Sequence, residues 1–318
     1  MDHSNQPDAG FISSLIFPSY ERIQSHLIET PLKVDVGQGL WMKCENLQNT
    51  GSFKWRGALS KLSALPRESN IVTASTGNHG LGVANAGALY GHNVKVFIPK
   101  SAATQKKDKL IALGVDLVQV DGDSLAAEMA GKQYAEENGF VWVSPYNDPD
   151  VIAGQGTIGL EILNQIDHLE RLYITVGGGG LISGIASYVK KHSPHTEIIG
   201  CQPVNSPEMY LSQLAGHVVM AQEELPTLSD GSAGPLEENS ITFGLCRSLV
   251  DRYILISEDD IRKAIKDVYQ EHQMIIEGAA GVAYAAARYD DERNKSDNVV
   301  VVLCGGNIDS MLHKEICQ

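Results

Sequence analysis

A lysine between two aromatics and a run of four glycines give this chain its first chemical signals. Gly177, Gly178, Gly179 and Gly180 lie between a strand-like run, Leu172 to Val176, and a segment with helical periodicity at Ile182, Ile185, Ala186 and Val189. Side chains are absent just where a helix begins, so free backbone N–H groups and the positive end of the helix dipole can close on a phosphate. One or two glycines would fit a tight turn equally well, but four in succession carry an entropic cost that favours the anion. Leu181 and Ile182 follow where a nucleotide-triphosphate loop needs Lys and then Ser or Thr. A Gly-x-Gly-x-x-Gly fingerprint begun at Gly177 or Gly178 would end on Ile182 or Ser183. Both nucleotide loops fail on spacing, which leaves a nucleotide-dependent oxidoreductase as a remote alternative only.

Lys54 lies in Asn49-Thr50-Gly51-Ser52-Phe53-Lys54-Trp55-Arg56-Gly57. An isolated lysine is ordinarily a solvated surface residue, but Phe53 and Trp55 make the stretch poor surface material. Partial desolvation lowers a lysine's pKa, which Schiff-base and general-base lysines require.

The elements that must position these groups alternate. Strand-like runs at Ile71 to Ala74, Val94 to Ile98, Val115 to Val120 and Phe140 to Val143 are separated by helical patterns, the later ones reaching Leu110 and Tyr134. The series resumes with a helix around Ile158 to Ile166, the strand before the glycines, their helix, and Ile198-Ile199. Later come a helix capped by Ser257 and a strand from Val299 to Leu303. This is the pattern of βαβ units and parallel sheet. Pro145-Tyr146-Asn147-Asp148-Pro149 marks a boundary near residue 147. Three strand ends are small and polar: Ser75-Thr76-Gly77-Asn78-His79-Gly80, the tetraglycine, and Cys304-Gly305-Gly306-Asn307. Ligands of open α/β sheets bind beyond the carboxyl ends of strands, so the three could face one cleft.

At 318 residues and 43% hydrophobic, the chain can fill one large or two medium domains. A net charge of −14 argues against nucleic acid, which needs an extended basic surface. Lys106-Lys107-Asp108-Lys109 reads as a solvated helix face. An anionic small molecule remains compatible, because global charge is screened within about 8 Å. No apolar run is long enough to span a bilayer, and no membrane association is expected. The N-terminus, Met1 to Asp8, has neither the basic start nor the apolar stretch of a signal peptide, so the expected location is cytoplasmic. Five scattered cysteines without a Cys-x-x-Cys pair indicate neither a disulfide framework nor a structural zinc site.

The stretch Thr50 to Ala58, the loop Ser75 to Gly80, the tetraglycine and Cys304 to Asn307, in this order and spacing, resemble the serine/threonine dehydratase and serine racemase family. Gly154-Gln155-Gly156-Thr157 and Glu277-Gly278-Ala279-Ala280-Gly281-Val282 extend the likeness over nearly the whole chain. The resemblance implies an α/β protein of two domains, the tryptophan synthase β-like fold (fold type II), with pyridoxal 5′-phosphate between them. It implies a large cofactor-binding domain from 1–68 and 148–318, and a small domain, 69–147, carrying the substrate-carboxylate loop.

Roles follow from the same resemblance. Lys54 would hold the cofactor aldehyde and then serve as base at the substrate Cα. Gly177 to Gly180 with Leu181 would bind the cofactor phosphate, Asn78 the ring 3′-hydroxyl, and Phe53 a ring face. Ser75, Thr76, Gly77, Asn78 and His79 would receive the substrate carboxylate; His79 is as readily a histidine that holds the turn. Cys304 would sit beside the pyridine nitrogen, where a neutral thiol weakens the electron sink and suits β-elimination. Thr76 stands where racemases of the family place a serine, and its methyl group and stiffer χ1 rank dehydration above racemisation. The family's divalent-cation site matches Gln202, Ser206 and Glu208, with one carboxylate lost. Glu277 could lie near the ring or cap the following helix.

The expected activity is dehydration and deamination of a β-hydroxy amino acid, L-threonine or L-serine, to a 2-oxo acid and ammonia. Serine racemase is the first alternative. A second is the branch of hydroxyectoine-utilisation dehydratases, which Glu223 to Gly231 and the Ser-Thr-Gly-Asn-His-Gly loop resemble. A non-catalytic small-molecule sensor on the same fold is a remote third. The family implies a homodimer, and a chain ending at Gln318 carries the expectation of no isoleucine-binding regulatory domain.

Overall fold

β-branched runs and short polar turns build two sheets. The computed structural model describes residues 7–219, 225–294 and 296–318; Met1 to Gln6, and Glu223 and Glu224 of the acidic stretch, lie outside them. The strands are β1 (Leu32–Asp35), β2 (Leu40–Lys43), β3 (Asn70–Ala74), β4 (Asn93–Pro99), β5 (Asp116–Val120), β6 (Val141–Trp142), β7 (Arg171–Thr175), β8 (Glu197–Pro203), β9 (Arg252–Ile256) and β10 (Val299–Val302). One sheet runs β1-β2-β10-β7-β8-β9 and the other β5-β4-β3-β6. Among the described strands every pairing is parallel except β1 with β2. β10 is four consecutive valines, all buried, the unbroken apolar run expected of a strand covered on both faces.

Around the sheets lie α1 (Ala9–Ile23), α2 (Lys54–Ser63), α3 (Asn78–Tyr90), α4 (Thr104–Ala112), α5 (Ser124–Asn138), α6 (Pro149–Gln165), α7 (Gly180–His192), α8 (Glu208–Ala215), α9 (Ile241–Leu249), α10 (Glu258–His272), α11 (Gly278–Tyr289) and α12 (Ser310–Cys317). This is the mixed, parallel-rich α/β architecture expected. None of the described helices is long and apolar enough to cross a membrane. Ser257 caps α10, accepting from the Asp260 N–H. The helix expected around Ile158 begins nine residues earlier: Asp148 accepts from the N–H groups of Asp150 and Val151, and Pro149 opens α6. Glycines at 154 and 156 mask that extension in the sequence. They are needed for packing, because a Cβ on Gly154 would come within 2.5 Å of the Arg56 carbonyl oxygen.

A sealed group of charges fixes α2 against α6 and the end of β2. Lys43, Glu45, Arg56 and Glu161 are each no more than 1% exposed. The Arg56 guanidinium donates to Glu45 at 2.7 and 2.8 Å and to Glu161 at 2.6 and 2.8 Å. Lys43 Nζ donates to Glu161 at 2.6 Å and to the Thr30 carbonyl at 2.7 Å. Burial by itself lowers the guanidinium pKa, but Glu45 and Glu161 outweigh it and hold the pKa above its ordinary value.

Candidate active site

The loops after β3, β7 and β10 meet at one cleft of about 920 Å3 between the sheets, lined by Ala74–His79, Gly177–Leu181 and Cys304. The three small, polar strand ends therefore do converge, although β3 belongs to one sheet and β7 and β10 to the other. Helices α2, α3, α5, α7 and α8 also begin on residues that line this cleft, at Lys54, Asn78, Ser124, Gly180 and Glu208, and α11 begins between the lining residues Glu277 and Ala279. The partial positive charge of these helix N-termini lies at its wall.

The tetraglycine is shaped by close approach. Gly179 adopts φ +83°, a conformation that favours glycine, and caps α7 with no side chain. A Cβ on Gly178 would lie 2.3 Å from the Tyr146 ring, and one on Gly177 would lie 2.7 Å from the Ser232 carbonyl oxygen. The backbone of this turn is bare, and its first-turn N–H groups face the cleft without a capping side chain, the usual form of an anion site.

Lys54 Nζ donates to the Pro145 carbonyl oxygen at 2.8 Å and stands 5.1 Å from the Phe53 ring centre. Burial pulls its pKa down to about 8, against weaker opposing pulls from Cys304 and Glu277. An amine in that range has a substantial neutral fraction near physiological pH, so it can act as a nucleophile or a base. Burial, with Glu277 nearby, keeps the Cys304 thiol protonated, well above its ordinary pKa.

In the loop after β3, the Gly77 N–H bonds the Ser75 hydroxyl at 3.1 Å. Gly80 makes the turn possible, since a Cβ there would meet the Ser75 carbonyl oxygen at 2.1 Å. Ser75, Thr76 and Gly77 line the cleft ahead of the α3 N-terminus. His79 is buried and pairs with the Val143 carbonyl oxygen at 3.0 Å. Burial and then the Lys54 charge push its pKa to about 3, so the ring is neutral and holds the turn.

Asn78 Nδ2 donates to both oxygens of Glu277 at 2.8 and 2.9 Å, and its Oδ1 accepts from Asn307 at 2.7 Å. Glu277 therefore faces the cleft and does not cap α11 with its side chain. Burial raises its pKa to about 7, partly countered by the Asn78 hydrogen bond. Gln202, Ser206 and Glu208 also come together. Ser206 Oγ donates to Glu208 at 2.7 Å, Gln202 Nε2 to the Ser206 carbonyl oxygen at 3.4 Å, and Gln202 Oε1 accepts from the Tyr210 N–H at 2.7 Å. Their polar atoms are engaged with one another and with α8.

Tyr146 is a cleft residue the sequence reading missed. The Pro145–Pro149 stretch, read as a boundary, forms cleft wall: Pro145 receives Lys54, the Tyr146 ring lies on Gly178, and its hydroxyl accepts from the Glu237 N–H at 2.9 Å. A tyrosine flanked by two prolines in an otherwise helical series was the available signal.

Comparison with known proteins matches residues 23–305 to the family described as pyridoxal-phosphate dependent enzyme. The chain is 39% identical to the chloroplastic biosynthetic threonine dehydratase 2 of Solanum lycopersicum over 90% of its own length, and spans about half of that relative's length. It is 36% identical to serine racemase of Mus musculus, covering 86% of this chain and 83% of that protein. The solved structure of the processed threonine deaminase isoform 2 from Solanum lycopersicum superposes with a TM-score of 0.90 at 33% identity, over 98% of this chain and 88% of that one.

Proposed function

The chain belongs to the pyridoxal-phosphate dependent enzyme family, and from that premise we propose that it is an ammonia-lyase acting on L-threonine or L-serine. The carrying observation is Lys54: a cleft amine with its pKa lowered to about 8, among the helix N-termini of the cleft wall and beside Phe53. The cleft fits pyridoxal 5′-phosphate. Gly177 to Gly180 with Leu181 would hold its phosphate on bare backbone, Lys54 its aldehyde, Phe53 a ring face, and Asn78 and Cys304 the ring edge. Once bound, the cofactor supplies an electron sink conjugated to the substrate nitrogen, which acidifies Cα–H.

Residues of the chain do the rest. The N–H groups at the start of α3, with Ser75, Thr76 and Gly77, would seat the substrate carboxylate. His79, neutral and tied to Val143, would keep that loop in place. Lys54 Nζ would take the Cα proton as the β-hydroxyl departs with its electron pair, and the proton handed back from the Lys54 ammonium would turn that hydroxide into water. The resulting enamine hydrolyses to a 2-oxo acid and ammonia, so the water lost is regained and the atoms balance. A protonated Cys304 leaves the sink weak, which favours expulsion of a β-leaving group over prolonged carbanion chemistry. The same reading assigns 69–147, which contains the whole four-stranded sheet, to the carboxylate side of the cleft, and 1–68 with 148–318 to the phosphate side.

Serine racemisation is the second reading, favoured by the racemase relatives and by a hydroxyl at Thr76 on the cleft wall. One experiment separates the two: incubate cofactor-loaded protein with L-serine and L-threonine, quantify 2-oxo acid, and resolve remaining serine by chirality. 2-Oxo acid with little D-serine supports the lyase. Abundant D-serine, increased by Thr76→Ser, supports the racemase, and neither product overturns both.

A further inference from the structure

Away from the cleft, one cluster of side chains has the makeup of a ligand set. Asp35 closes β1, Glu271 and His272 close α10, and their donor atoms all lie within 4.8 Å of one another. None of the three lines the cleft. Asp35 is only 1% exposed and is held from both sides: Oδ1 accepts from the Gln38 N–H at 3.0 Å, and Oδ2 accepts from the Tyr284 hydroxyl at 2.6 Å. Each oxygen keeps a second lone pair. Tyr284 is itself wholly buried, which leaves the carboxylate little freedom to turn.

His272 separates this cluster from an ordinary ion pair. Its Nε2 is sealed from solvent 3.2 Å from Asp35 Oδ2, yet it makes no aligned hydrogen bond. A histidine placed only to pair with the carboxylate would aim its N–H along that line. Two ligands of one ion instead aim at a third point between them, and bonds of about 2.1 Å at tetrahedral angles set such atoms about 3.4 Å apart. Charge points the same way. Among the described ion pairs neither Asp35 nor Glu271 has a lysine or arginine partner, and Arg288 of α11 is taken by Asp267. Because α10 ends at His272, the negative end of its dipole lies here too. Gln202, Ser206 and Glu208, by contrast, spend their polar atoms on one another and on α8.

We propose that Asp35, Glu271 and His272 form a binding site for one divalent cation of the zinc type, with water completing a four-coordinate shell. One imidazole nitrogen and two carboxylate oxygens suit Zn²⁺ or Co²⁺, whereas Mg²⁺ and Ca²⁺ prefer an all-oxygen set. The exposed Glu271 side chain supplies the movable ligand, and Tyr284 orients the fixed one, as partners behind a metal ligand do. With ligands on β1 and α10, and Tyr284 of α11 behind Asp35, the ion ties three elements together. Its role is structural. Residues 273–276 lead from it to Glu277, so the clamp also braces the segment that carries Glu277 to Asn78. The site stands independently of the reaction assigned to the cleft.

The test uses cofactor-loaded full-length protein, freed of metal by a chelator and dialysed. It is titrated calorimetrically with ZnCl₂, and CoCl₂ binding is followed by visible absorption. The expected result is one Zn²⁺ per chain with a Kd on the order of micromolar, and an absorption spectrum of four-coordinate Co²⁺. At about a hundredfold excess over Kd, zinc should raise the unfolding midpoint by about 3 °C. Glu271→Gln and His272→Gln should each weaken binding at least about tenfold and remove that rise. Glu271→Gln, on an exposed side chain, covers the case in which His272→Gln fails to fold. His313 Nε2 and Cys317 Sγ, 3.5 Å apart, are a second place where zinc could settle, so Cys317→Ser is the control and should leave Kd unchanged. No binding, several weak ions per chain that the glutamine variants do not disturb, loss of the site in Cys317→Ser, or displacement of zinc by about a hundredfold excess of Mg²⁺ each overturns the proposal.

Discussion

Lys54 and Arg56 are two residues apart on one helix, and the fold treats their charges in opposite ways. Arg56 has its guanidinium matched to two carboxylates and Thr157 in a sealed interior. Lys54, at the cleft end of α2, has one carbonyl oxygen and no carboxylate within ion-pair distance among the described pairs. Full pairing fixes where α2 begins; withheld pairing leaves the amine at its tip reactive. Rigidity and reactivity are thus built into a single turn.

Removing each charge should separate these roles, and the largest effect is on chemistry. Lys54→Ala should lower 2-oxo acid formation from L-threonine by about 10³-fold or more in a steady-state assay, because a base positioned at Cα is lost. Residual turnover within tenfold of the parent would break the comparison at its reactive end. Next comes Arg56→Met, which leaves Glu45 and Glu161 buried without their partner. Denaturant unfolding should show a loss of about 3–5 kcal/mol, as for a broken buried ion pair.

Lys54→Met should act with the opposite sign on the cofactor-stripped protein. Its folded pKa, about 8, lies below its ordinary 10.5, so the lysine costs stability below pH 8 and that cost fades as pH rises towards 10.5. The variant should be more stable at pH 7, by an amount on the order of 2 kcal/mol. An equal or lower midpoint of unfolding would show that the amine is better paired than the geometry indicates.

Glu277 tests the same idea on a carboxylate, with the smallest effect. Its folded pKa, about 7, is raised above 4.5, so its contribution to stability is present below the unfolded value and is lost as pH rises through 7. Glu277→Gln should gain stability relative to the parent between about pH 5 and pH 8, by roughly 1–2 kcal/mol. A flat difference across that range would mean the carboxylate does not titrate there.

Much of the site could be read in the sequence where its residues are local in the chain. The tetraglycine and the Ser75–Gly80 loop follow β-branched strands, and Lys54 lies between aromatics, so each announced itself within ten residues. What depends on long-range packing was silent. Lys43 and Glu161 sit in apolar elements 118 residues apart and find each other only once β2 and α6 are stacked. Glu237 reaches Lys132 and Asn147 from a segment with no regular pattern. Glu277 was left between ring and cap because both need a carboxylate at a helix start, and only the position of Asn78 decides. Tyr146 was read as punctuation because proline on both sides is the commonest mark of a boundary.

On the proposed function Lys54, and no other amine, is the reactive group of this cleft. Borohydride reduction of pyridoxal-phosphate-loaded protein, followed by peptide mass mapping, tests it directly. A single reduced pyridoxyl adduct on the peptide containing Lys54, near one per chain, is the expected result. An adduct on Lys106 or Lys132, or protein that takes up no label at all, would contradict it.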